Sequence, residues 1–249
     1  MNCYVTFLFG QEHSAYQIEV DHVQSFIRVE ALFYSKNNSP EEQEELARGL
    51  DFWNSLSNQY VYLLPNGQCY ALQFDLKKAR GTYMENGFFM PGSHENHSIL
   101  NSVEIVSDGL LERMSADRNH FMAGYSAHGA VYISRSYATH ATVWAHEIGH
   151  RLGASHHGSG GVMAASLPTG GYPEVSKATV REILGHAGVR PFVSGSHYHH
   201  DMEPAAVNHY GAIPGDFFTE GKLKKQTYAH ASCPTQMMNE QVSDAQVFR

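Results

Sequence analysis

The stretch AHEIGHRLGASH, residues 145–156, decides how this chain is interpreted. If it is helical, His146 and His150 lie four residues apart and present their imidazoles on one face. Gly153 can adopt the left-handed backbone that ends a helix and turns the chain, which brings His156 back towards the other two. Three histidine ligands leave the fourth position of a tetrahedral zinc ion open for water. The spacing therefore predicts a catalytic zinc site.

Glu147 follows the first histidine and would lie beside the metal without binding it. Zinc lowers the pKa of bound water from 15.7 to about 7, and a nearby carboxylate can take its proton as hydroxide attacks a carbonyl. We therefore assign Glu147 as the general base. Trp144, Ile148 and Leu152 recur every four residues and predict a buried stripe on another side of the helix. A structural helix with surface histidines is the alternative, but HExxHxxGxxH arises by chance on the order of once in two thousand such chains.

The motif matches the zinc-binding signature of the metzincin peptidases at all five defining positions, and the chain resembles that family. Metzincins carry a methionine turn beneath the zinc, and the segment 159–164 resembles it, with Met163 as the methionine. The resemblance implies an α+β zincin fold with a mixed twisted sheet and an active-site helix. Residues 1–153 would form an N-terminal lobe, and residues 154–249 a smaller, irregular C-terminal lobe.

The resemblance also implies a function, which is endopeptidase hydrolysis of a protein or peptide substrate with one catalytic zinc ion. Residues 164–174, including Tyr172, would form a wall of the pocket for the side chain after the cleaved bond. An edge strand predicted at 129–134 would pair with the extended substrate, beginning with Gly129, Ala130, Val131 and Tyr132.

The chain departs from the family pattern in several places. Many metzincins have Asp after the third histidine, where this chain has His157, which could itself be considered as the ligand although the family spacing favours His156. No tyrosine follows two residues after Met163, so a tyrosyl ligand is not supported. The substrate class is therefore not taken from any subfamily. A zinc amidase acting on a non-protein or peptidoglycan amide remains an alternative, as does a non-catalytic binding module, which the intact Glu147 disfavours.

Composition limits the other functions that need to be considered. The 249 residues are 42% hydrophobic and 17% charged, which is typical of a globular domain. A net charge of -8 without a long basic run disfavours nucleic-acid binding, and Lys222–Lys225 is interpreted as a solvated loop or tail. No segment has the roughly 20 apolar residues that span a bilayer. No signal peptide is recognised, so we expect an intracellular peptidase or one exported by a specialised route; the oligomeric state is left open.

Local patterns predict the elements around the motif. Asn66-Gly67 between two apolar runs predicts a β-hairpin, and Ser39 followed by proline predicts a helix start. The chain after Pro191 is expected to be mostly irregular, and 81–101 to be a loop. The predicted strands are the N-terminal segment and residues 25–34, 60–64, 69–76, 103–106 and 129–134. The predicted helices are 40–56, 140–152 and 176–184.

Two weaker signals have ordinary alternatives. Cys69 could be a thiolate that blocks zinc, but its surroundings favour a cysteine on a hairpin strand, and the three cysteines allow one disulfide or three free thiols. The cluster from His197 to His200, followed by Asp201, could form a second metal site, or His197, Tyr198 or His199 could polarise a substrate carbonyl. A solvated loop is the simpler interpretation of that cluster.

Overall fold

The computed structural model describes residues 2–8, 15–37, 39–86, 88–96, 99–114, 123–127, 130–156, 161–164, 174–184 and 221–225. The strands are β1 (Asn2–Leu8), β2 (Ala15–Asp21), β3 (Phe26–Ser35), β4 (Tyr60–Leu63), β5 (Cys69–Lys78), β6 (Gly81–Tyr83), β7 (Phe89–Pro91), β8 (Leu100–Val106), β9 (Gly124–Ala127), β10 (Ala130–Ser134) and β11 (Lys222–Lys225). The helices are α1 (Pro40–Asn54), α2 (Asp108–Met114), α3 (Ala141–Arg151) and α4 (Lys177–Ile183), with a 3-10 turn at Arg135–Tyr137.

Nine of these strands form one mixed sheet, so the predicted α+β class with a mixed sheet is confirmed. The sheet order is β11-β4-β5-β3-β8-β10-β9, and β2 joins β1 to β3. The first half of β3 pairs with β2 and its second half with β8. β5, β3, β8 and β10 run parallel, whereas β4, β11, β9 and β2 run antiparallel to their neighbours. The hairpin β6–β7 forms a separate two-stranded sheet.

Helices α1 and α3 pack against each other and against the sheet. The Ser39 hydroxyl caps α1 by accepting a hydrogen bond from the amide of Glu42 at 3.2 Å. The indole of Trp53 donates to the carbonyl of Ala145 at 2.9 Å, which joins the end of α1 to the middle of α3. The buried stripe of α1 consists of Leu46, Leu50 and Trp53.

Buried tyrosines attach the later segments of the chain to this framework. Tyr16 on β2 donates its hydroxyl hydrogen to the carbonyl of Ile183 at 2.8 Å. Tyr60 on β4 donates to the carbonyl of Val175 at 2.7 Å. Val175 lies two residues before α4 begins and Ile183 is its last residue, so both ends of α4 are fixed to the sheet through side-chain hydroxyl groups. β11 adds a further link by pairing with β4.

Several local predictions are confirmed and several are wrong. β1, β3, β4, β5, β8, α1, α3 and α4 lie where the patterns predict them. The segment 81–101 contains a hairpin rather than only a loop, and Lys222–Lys225 is a strand because its one apolar residue, Leu223, is buried. β2, α2 and β9 are not predicted. No helix in the described part of the chain has the length and apolar character needed to cross a membrane.

Candidate metal centre

Helix α3 places two of the predicted ligands one turn apart. It ends before Gly153, whose φ of +85° turns the chain. The amide of Ala154 then bonds back to the carbonyl of Gly149 at 3.0 Å, so the segment that follows returns along the helix. The predicted stripe that anchors α3 is buried, and it consists of Trp144, Ile148 and Leu152.

The side chains of His146, His150 and His156 converge on one point. The Nε2 atoms of His146 and His150 lie 3.1 Å apart, and each lies 3.2 Å from Nε2 of His156. Tetrahedral zinc with bonds of 2.0–2.1 Å separates its nitrogen ligands by about 3.3 Å. The three nitrogens can therefore bind one metal ion together, with a fourth position left for another ligand.

Two backbone carbonyl groups orient the rings on α3. Nδ1 of His146 lies 2.6 Å from the carbonyl oxygen of Val162, and Nδ1 of His150 lies 2.8 Å from that of Ala154. A carbonyl oxygen only accepts hydrogen bonds, so Nδ1 carries the hydrogen in both rings and the lone pair is on Nε2. This is the tautomer that a metal ion at the meeting point requires.

Burial also favours the neutral form of both rings. Loss of hydration lowers the pKa of His146 to about 4, although the hydrogen bond to Val162 opposes this. Loss of hydration is the main reason why the pKa of His150 is lowered to about 3, and the nearby His146 contributes a smaller lowering. Because both values lie well below 7, these rings are unprotonated at neutral pH and need not release a proton before they bind a metal.

Glu147 lies against strand β9. The Ser126 hydroxyl is 2.8 Å from Oε2 of Glu147 and 3.0 Å from its backbone carbonyl oxygen. A Cβ atom at Gly124 would lie 2.6 Å from Cγ and Oε1 of Glu147, so glycine leaves the space that this carboxyl group occupies. Burial raises the pKa of Glu147 to about 8, and the Ser126 hydrogen bond partly offsets the rise. A carboxyl group with this pKa can accept and return a proton near neutral pH.

Met163 packs beneath α3 at the turn between the two helical histidines. It is buried in a turn in which the amide of Ala164 bonds to the carbonyl of Gly161 at 3.2 Å. A Cβ atom at Gly149 would lie 2.4 Å from Sδ of Met163 and 2.8 Å from Cζ2 of Trp53. The missing side chain at Gly149 therefore allows Met163 and Trp53 to support the ligand-bearing turn directly.

The predicted substrate edge strand is wrong. β10, which contains Ala130, Val131 and Tyr132, pairs with β8 on one side and β9 on the other. Both Ala130 and Val131 are buried, as expected for an interior strand. The outermost described strand next to the site is β9. Gly129 and Tyr172 lie outside the described residues, as do His157 and the cluster from His197 to Asp201.

Cys69 is disulfide-bonded, so it offers no thiolate to a metal ion. The alternative of three free thiols is therefore wrong, and the single disulfide that the cysteine count allows is present.

The motif predicts the three histidines that converge but not the groups that support them. Gly124 and Ser126 lie on a four-residue strand with little apolar alternation, so nothing in the sequence connects them to Glu147. Glu182 on α4 is a further such residue. Its carboxylate accepts hydrogen bonds from the amide and the hydroxyl of Ser155, next to the third histidine.

Comparisons with known proteins assign no family to this chain. No protein-family model matches it, and no curated protein matches it significantly.

The close contact at Gly149 can be tested by adding one methyl group. Alanine within a helix normally adds roughly 0.5–1 kcal/mol of stability over glycine. At position 149 the methyl group would overlap Met163 and Trp53, so we expect Gly149→Ala to lower the free energy of unfolding by about 1–3 kcal/mol. Urea denaturation in the presence of a chelator measures this without a contribution from bound metal.

Gly109→Ala is the matched control, because a Cβ atom at this glycine on α2 meets nothing within 4 Å. We expect it to be neutral or slightly stabilising. Equal stability of the two variants would contradict the packing described beneath α3.

Proposed function

We propose that this protein is a zinc-dependent endopeptidase of the metzincin type. One observation carries the proposal, namely three histidine Nε2 atoms 3.1–3.2 Å apart beside a buried carboxyl group with a raised pKa. Three neutral nitrogen ligands with an open fourth position are the donor set of several zinc hydrolases. The carboxyl group of Glu147 supplies the proton acceptor that hydrolysis at such a centre needs.

His146, His150 and His156 would hold the metal, which when bound supplies a Lewis acid and lowers the pKa of a bound water. Glu147 accepts a proton at its carboxylate and returns it to the leaving amine. Ser126 holds Oε2 of Glu147 in one position through its 2.8 Å hydrogen bond. Burial raises the pKa of Glu147, which favours the protonated form that returns the proton.

The position of β9 favours a peptide as the substrate. β9 is the last described strand at this end of the sheet, and two of its residues contact Glu147. An extended peptide can add to the edge of a sheet through backbone hydrogen bonds. A peptide that paired with β9 would therefore pass the general base, as endopeptidase cleavage requires.

The disulfide at Cys69 favours export over an intracellular location. Disulfides persist in oxidising compartments and are rare where glutathione keeps thiols reduced. We therefore extend the proposal to a peptidase that acts outside the reducing cytosol.

The function is tested by comparing wild type with Glu147→Ala. We expect one bound zinc per chain in both proteins, because Glu147 is not among the ligands. Cleavage of an unbiased peptide library should fall by at least about 100-fold in the variant, since the proton acceptor is lost. Metal analysis and mass spectrometry of the products measure the two effects.

The same experiment separates the proposal from its rivals. Zinc in both proteins without peptide cleavage by either would favour an amidase acting on another bond or a binding module. No zinc in wild type would contradict the metal centre itself.

Ser126→Ala tests the support of the general base. Loss of a hydrogen bond to a carboxylate costs about 1.5–3 kcal/mol, so we expect kcat to fall about 10- to 100-fold with KM nearly unchanged. Zinc content should stay at the wild-type value. Ser126→Thr keeps the hydroxyl and should recover part of kcat, while Ser55→Ala, at the exposed end of α1, should have no effect. A wild-type kcat for Ser126→Ala would refute the role.

The disulfide is tested by counting thiols. Protein purified without reductant and then unfolded should react with one equivalent of a thiol reagent per chain, because two of its three cysteines are bonded. After reduction the count should rise to three. Three reactive thiols before reduction would exclude the bond and remove the argument for export.

A further inference from the structure

Helix α4 contacts the chain immediately before the third histidine through one carboxylate. Oε2 of Glu182 accepts a hydrogen bond from the amide of Ser155 at 2.7 Å, and Oε1 accepts one from the Ser155 hydroxyl at 2.6 Å. Glu182 is 6% exposed, whereas Ser155 is exposed, so a buried carboxylate reaches a residue at the surface. Short hydrogen bonds to a carboxylate are stronger than those between neutral groups. The two bonds together fix both the backbone and the side chain of Ser155.

The position of the His156 ring depends on this contact between Glu182 and Ser155 more than the positions of the other two rings do. His146 and His150 are on α3, and each has its Nδ1 bonded to a backbone carbonyl. His156 is exposed and follows the helix, and in the described part of the chain no carbonyl bonds its Nδ1 in the same way. Its ring must therefore be placed by the backbone that leads to it.

Only a few bonds determine the path of that backbone. Gly153 turns the chain with φ +85°, and the amide of Ala154 bonds to the carbonyl of Gly149. The next residue, Ser155, is held by Glu182, which lies 27 positions further along the sequence. α4 is itself attached to the sheet by the bonds from Tyr16 and Tyr60. The location of His156 is thus defined relative to the sheet by way of Glu182.

We infer that Glu182 is a positioning residue for the third metal ligand and that it sets the affinity of the site for zinc. The inference rests on the zinc site of the proposed function but does not require peptide cleavage. With Glu182 in place, the ring of His156 is held where its Nε2 is 3.2 Å from each of the other two nitrogens. Without the two bonds to Ser155, the ring must be ordered by the metal, and this reduces the binding free energy.

The variant Glu182→Gln tests the inference with little change in volume. Glutamine can accept from the Ser155 amide and donate to the Ser155 hydroxyl, but both bonds lose the negative charge of the carboxylate that strengthens them. Changes in groups that orient metal ligands typically cost about 10- to 100-fold in metal affinity, and we expect a loss in this range. Competition with a chromophoric chelator measures the zinc Kd, and the absorption spectrum of the Co²⁺-substituted protein reports the coordination of the metal.

The matched control is Glu174→Gln, which makes the same chemical change on a glutamate whose side chain is 86% exposed, just before α4. We expect a wild-type zinc Kd for this variant. Ser155→Ala removes only the hydroxyl bond and should weaken zinc about two- to tenfold. If Glu182→Gln does not fold, Ser155→Ala provides the test of the inference.

A double-mutant cycle with His156→Ala distinguishes positioning from general destabilisation. If Glu182 acts through His156, Glu182→Gln should weaken zinc binding in the wild-type background and have little further effect once His156 is absent. A purely structural role would give the same loss in both backgrounds. That result, or a folded Glu182→Gln protein with the zinc Kd of wild type, would overturn the inference.

These outcomes are separate from a failure of the proposed function. Wild type that binds zinc but cleaves no peptide would contradict the peptidase and leave the role of Glu182 open to the same affinity measurements. Wild type that binds no zinc would overturn both.

Discussion

The bonds from Nδ1 of His146 and His150 to the carbonyl groups of Val162 and Ala154 are the constraint on which the site depends. Each bond fixes a tautomer and a ring angle at once, so the lone pairs on Nε2 point to one place. Both carbonyl groups belong to the chain after α3, so the ligands on the helix are oriented by the segment that also carries Met163. Helix and turn therefore have to be formed together before the metal site exists.

The framework beneath the site explains how this orientation is kept. Trp53 reaches from α1 to the Ala145 carbonyl, and with Met163 it fills the space beside Gly149. A well-packed interior does not deform gradually, so the ligand-bearing turn is held rigidly from below. On the other side, β9 holds Glu147 through Ser126 and makes room for it at Gly124. The three histidines and Glu147 thus lie between two supports that belong to different parts of the chain.

The sequence predicts the convergence of the three histidines because their arrangement is local. His146 and His150 follow from helical periodicity, and Gly153 signals the turn that returns His156. The supporting groups could not be predicted, because Ser126 and Glu182 act across 21 and 27 positions and carry no periodic signal. The error over the edge strand has a physical reason. The run in β10 is apolar enough to be buried, which is typical of a strand with neighbours on both sides, whereas β9, the outermost described strand at that end of the sheet, is short and poorly patterned.

The pairing of β11 with β4 has a consequence for biosynthesis. β4 (Tyr60–Leu63) is apolar and aromatic, and its outer edge is completed only by residues 222–225, about 160 positions later. While a ribosome makes the intervening chain, that edge stays open and can pair with the wrong partner, since exposed apolar strands promote aggregation. The strand that finally covers it has the sequence KLKK, and a lysine-rich outer strand discourages addition of a further chain. Among the described strands, the one made last therefore ends the exposure of β4 and places lysines at that end of the sheet.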